Sequence, residues 1–244
     1  MENRNINKRL VLIFVFGMAM GFLESVVVVY LRYMFYPHGF NFPLSLIPDS
    51  IVIPELAREF CTLIMLLTLA WIAGKNKIQI FAYFLYSFAV WDIFYYVGLK
   101  LFLGWPSSLL TWDILFLIPM PWLGPVLSPV LASVTMILLA LVFLKLNSQN
   151  KAGKVKIIEW FLIYSGAAII FASYTWDYTR IIISNNLLGK LFELSDNEVF
   201  QKITTSYVPA YYHWDLFILG ILFVYISMFM ICKRAGIFVF KSSN

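Results

Sequence analysis

Glu24, Glu59 and Asp92 each lie within a long, mainly apolar run, and buried carboxylates of this kind can pass protons or hold a cation. Neither Glu24 nor Asp92 has an opposite charge three or four residues away, so each needs a partner from another helix, or water, or a bound proton. The run Pro54-Glu55-Leu56-Ala57-Arg58-Glu59 sets two acids one helical turn apart with an arginine between them, a preformed carboxylate–guanidinium cluster. Pro at a helix start with acids in its first turn is also ordinary helix-start chemistry, which accounts for Glu55 better than for the deeper Glu59.

Asp177 and Arg180 repeat the Glu55–Arg58 spacing. Arg58 and Arg180 suit an anionic head group, and Asp177 and Asp215 complete the candidate substrate contacts. Of the two histidines, His213 lies two residues before Asp215. With Glu59 and Asp92, and with Glu24 beside them, it would make a set of mostly hard oxygen donors suited to a divalent metal such as Mg, Mn or Fe. Four of the six aspartates follow a tryptophan, at Trp91-Asp92, Trp112-Asp113, Trp176-Asp177 and Trp214-Asp215, where chance predicts about 0.2 such pairs. Interfacial Trp and helix-capping Asp explain Asp113 and Asp215, but not Asp92 and Asp177 near helix C-terminal ends, where the dipole disfavours an anion. Arg180 can compensate Asp177, and nothing local compensates Asp92, which makes Asp92 the leading catalytic candidate.

The elements that must position these groups are set by composition. With 61% hydrophobic residues, 13% charged and a mean hydropathy of +0.83, a water-soluble fold is excluded. Apolar runs near 10–33, 51–73, 78–102, 124–145, 157–183 and 211–232 are each long enough to cross a bilayer, giving an all-α membrane protein with six transmembrane helices and one domain. The stretch 106–121 is too short to span and broken by Pro and Gly, so it reads as an interfacial or re-entrant segment. Ser195 and Glu198 fit a capping box opening a short surface helix in the loop 185–210, a candidate lid.

With six spans, twelve of the eighteen Lys and Arg fall on one side, which places both termini in the cytoplasm of a cell-membrane protein. Eleven of the thirteen acids fall toward the opposite side, so charged chemistry faces outward. Lys and Arg scattered between apolar runs exclude a nucleic-acid face, and Cys61 and Cys232 act as small hydrophobes. Short matches such as Trp91-Asp92-x-Phe94 with Trp214-Asp215-x-Phe217 hint at a three-plus-three inverted duplication.

Three functions fit: a membrane-embedded enzyme acting on a lipid-like substrate, a noncatalytic subunit or assembly factor meeting a membrane-protein partner, and a small proton- or cation-coupled transporter. Acids confined to one side favour the enzyme, because alternating access needs polar groups toward both faces. No phosphate-binding loop, nucleophile elbow or zinc-protease motif specifies the reaction.

Overall fold

The computed structural model describes residues 2–149, 155–185 and 206–236. Among these residues six helices are long and apolar enough to span a membrane: α1 (Glu2–Phe35), α2 (Asp49–Ala73), α3 (Lys77–Leu103), α4 (Leu127–Ser148), α5 (Ile157–Ser184) and α6 (Trp214–Ala235). The chain is thus a helical multi-pass membrane protein, as the apolar runs require. Each boundary lies within three residues of expectation except the start of α1, which runs eight residues further toward the N-terminus. The capping box at Ser195 and Glu198 falls outside the described residues.

Local chemistry sets several of these ends. The Asn76 side chain accepts the Gln79 backbone N–H at 3.0 Å, satisfying one of the free donors at the start of α3. Gly104 and Gly236 then end α3 and α6 at φ 66° and 65°, a left-handed conformation that other residues rarely adopt.

The segment expected to be interfacial or re-entrant is a small antiparallel hairpin, β1 (Trp112–Phe116) and β2 (Trp122–Pro125), with Asp113 opposite Gly124 and Ile114 opposite Leu123. Prolines at 119, 121 and 125 deny this stretch a helix, whereas its aromatic and β-branched residues suit a strand. Non-helical backbone near a membrane is tolerated only where its polar groups are satisfied. Strand pairing does part of this, and the Glu59 carboxylate takes the Leu117 N–H beyond β1 at 2.9 Å. Asp113 is therefore a strand residue, not the helix cap expected of it.

Small residues let the helices approach closely enough to bring the carboxylates together. A Cβ on Gly21 would stand 2.6 Å from the Trp91 carbonyl oxygen, so α1 and α3 meet backbone to backbone where they carry Glu24 and Asp92. Gly166 of α5 and Gly220 of α6 do the same, each ideal Cβ falling 2.6–2.7 Å from the other residue's carbonyl oxygen. Gly220→Val is expected to push α5 and α6 apart and cost about 1–3 kcal/mol. Thermal unfolding in lipid nanodiscs checks this, and an unchanged midpoint would contradict it.

α6 packs mainly on α5, whereas α1 packs mainly on α3, so the helix pairing does not mirror between halves as an inverted duplication would require. The end of the bundle remote from the hairpin is closed by an apolar core that includes Ile13, Tyr83, Phe143 and Ile231. It is pinned by Arg9 donating to the Ala73 carbonyl at 2.6 Å and by Asn76 donating to Asn147 at 2.8 Å. There Arg234 forks onto the buried Glu159, with Nη2 at 2.8 and 2.5 Å from the two carboxylate oxygens.

Candidate functional site

The polar residues of α1, α2 and α3 lie on stripes that face one another beneath the hairpin. On α1 these are Glu24 and Arg32, two turns apart with Val28 between them on the same face; on α2 Glu55, Arg58, Glu59 and the buried Thr62; on α3 Asp92 and Tyr95. Except for Thr62, all of them line one chamber of about 150 Å³, closed on the hairpin side by Asp113 to Leu117. The structure therefore brings Glu24, Glu59, Asp92 and Arg58 together, and adds Arg32, Asp113 and Tyr95, which sequence reasoning had not assigned to a site.

Within the chamber the two guanidiniums are engaged. Arg58 bonds Glu55 through Nε at 2.9 Å and Nη2 at 2.5 Å, and its Nη1 meets Glu24 of α1. Glu24 thus finds its partner on another helix, as its isolation in sequence required. Arg32 pairs with Asp113 at 3.1 Å and lies over the rings of Trp105 and Phe40, at 3.7 and 4.5 Å from their centroids. Glu59 uses both oxygens on the Leu117 N–H. Among the described residues Asp92 accepts only the Ser133 hydroxyl of α4, at 2.7 Å. Among the described residues neither Glu59 nor Asp92 has a cation within ion-pair distance.

Desolvation pushes the Asp113 carboxyl up to about 6 from 3.8, against the opposing pull of Arg32 and of hydrogen bonds from Ile114 and Tyr96. A raised folded-state value favours the protonated native state, so this contribution is complete below about pH 4 and is lost as pH rises through about 6. Wild type is thus expected to lose stability relative to Asp113→Asn between pH 5 and pH 7. Paired unfolding curves at the two pH values test this, and a gap moving in wild type's favour would contradict it.

A second cavity, of about 340 Å³, lies between α3, α4, α5 and α6 and is lined almost wholly by apolar side chains. Trp91, Asp92, Leu115 and Phe116 line both cavities, so the charged chamber and the apolar one share a wall at Asp92. Along α3 the apolar cavity runs from Asp92 to Phe81, about 16 Å at the helical rise, close to the depth of one bilayer leaflet.

The remaining sequence candidates lie elsewhere. Asp177 and Arg180, near the end of α5, line neither cavity, and Asp177 bonds the Tyr207 hydroxyl beyond its helix. Asp215 is exposed in the first turn of α6, 3.5 Å from His213, whose ring packs on Trp176 and Tyr211. The expected metal set of Glu59, Asp92 and His213 is not assembled, because His213 is held in this aromatic cluster away from the chamber. Among the described residues no three His, Cys, Asp or Glu side chains stand close enough to hold a metal ion.

Fold and site together define a helical membrane protein with a hairpin-covered, carboxylate-rich chamber abutting an apolar cavity. The chain matches no protein-family model, and no curated protein or solved structure matches it at a significant level.

Proposed function

We propose that this protein is a membrane-embedded enzyme acting on a lipid-like amphiphile at the outer side of a cell membrane, with both termini cytoplasmic. The observation that carries this reading is the wall shared at Asp92: a polar chamber and an apolar cavity adjoin there, as the head and tail of one amphiphile would need. Asp92 is the proton acceptor or donor, because it lies at the head–tail boundary and its carboxylate is not tied to a cation. Glu59 anchors the hairpin and presents a second carboxylate to the same chamber. Glu24 acts through Arg58, holding the guanidinium in place. The packed apolar core at the far end of the bundle, with the charged chamber lying beneath the hairpin, favours an enzyme over a transporter.

Nanodiscs containing the purified protein, incubated with a total lipid extract and followed by mass spectrometry, test this reading. Time-dependent loss of one lipid species with matching gain of another, absent from empty discs, is the expected result. An unchanged lipid profile together with a co-purifying membrane protein would point to the noncatalytic-subunit alternative.

A further inference from the structure

The hydrogen-bonding groups left open in the charged chamber are of two opposite kinds. Glu59 and Asp92 are carboxylates with no cationic partner among the described residues, and they call for donors. Among the described residues the Trp91 indole Nε1 and the Arg32 Nη1 are buried donors without a hydrogen-bond partner, on side chains more than nine-tenths buried, and they call for acceptors. Trp91 and Arg32 both line this chamber, so its walls carry side chains with both kinds of group.

A phosphate head supplies acceptors alone and would enter a chamber with five acidic side chains and two guanidiniums, both already ion-paired. An ammonium head supplies donors alone and would leave Trp91 and Arg32 unsatisfied. A hydroxyl is donor and acceptor at once, without charge. The apolar cavity beyond Asp92, at about 340 Å³, lies near the small end of the range of ligand sites and has the depth of one leaflet, which suits one apolar chain.

We infer that the ligand of this site is a single-chain amphiphile with a neutral, hydroxyl-bearing head, its hydroxyls bridging the Asp92 and Glu59 carboxylates to the Trp91 indole. The inference rests on the amphiphile reading above and replaces the anionic head group that Arg58 suggested from sequence, since Arg58 is held by Glu24 and Glu55.

The test is competitive retention by the full chain in phosphatidylcholine nanodiscs, read by native mass spectrometry, with monooleoylglycerol, oleyl phosphate and oleylamine as probes of one chain and three heads. Monooleoylglycerol is expected to be retained about tenfold more strongly than either charged probe, and Trp91→Phe to reduce that retention about tenfold at an unchanged unfolding midpoint. Equal or stronger retention of oleyl phosphate or oleylamine overturns the inference, as does a folded Trp91→Phe variant that retains monooleoylglycerol undiminished. If Trp91→Phe does not fold, the ranking of the three probes on wild type decides alone. Monooleoylglycerol retention without any lipid conversion in the extract assay supports the head-group assignment while removing the enzymatic reading. Conversion alongside preferred oleyl phosphate binding overturns the head-group assignment and leaves the enzymatic reading standing.

Discussion

Asp92→Asn is expected to reduce lipid conversion by about 10²–10⁴-fold while leaving insertion and the unfolding midpoint close to wild type. The substitution keeps the size of the side chain and an oxygen for the Ser133 hydroxyl, which approaches Asp92 to 2.7 Å, so the junction of the two cavities stays filled. It removes the ability to take up and release a proton. Ser133→Ala separates orientation from chemistry: it frees the carboxylate without neutralising it and should cost much less, about tenfold or below. Product formation per inserted protein, measured for both variants, checks this. Wild-type turnover in Asp92→Asn would make the residue a packing group and remove the catalytic assignment.

The second large effect is expected at the opposite end of the bundle. Glu159 is 1% exposed, and Arg234 satisfies both of its oxygens, while the Lys156 backbone N–H donates a further bond at 2.7 Å. Arg234→Met would strand that carboxylate without its cation, at a cost of about 3–5 kcal/mol, whereas Glu159→Gln removes the charge together with its need for a partner and should cost less. Denaturant unfolding in mixed micelles compares the two. An Arg234→Met protein as stable as wild type would show that the α5–α6 end is held by apolar packing alone.

Much of this architecture was legible in the residues. A run of about 20 apolar side chains has few alternatives to a membrane helix, which is why all six spans emerged, with α1 merely longer than its apolar portion. The absence of any local partner for Glu24 and Asp92 correctly required help from other helices, which Arg58 and Ser133 supply. The hairpin was not legible, because its two short strands alternate too briefly to register and their pairing depends on Pro119 and Pro121 turning the chain between them. Asp113 was mistaken for a helix cap for the same reason. Arg32 was missed, although Glu24, Val28 and Arg32 repeat every four residues and so share one face of α1. Asp177, Arg180 and Asp215 shared the acidic end of the molecule with the chamber but not its walls, a difference set by helix packing that spacing along the chain does not carry.

The central claim, that one amphiphile bridges the charged chamber and the apolar cavity, is tested most directly by an experimental structure in lipid nanodiscs with a rigid antibody fragment bound. Continuous elongated density passing Trp91 and Asp92 is expected, its polar end beneath the hairpin and its tail running along α3 toward Phe81. Two cavities separated by protein, or a chamber filled only by its own side chains with every carboxylate paired, would contradict it.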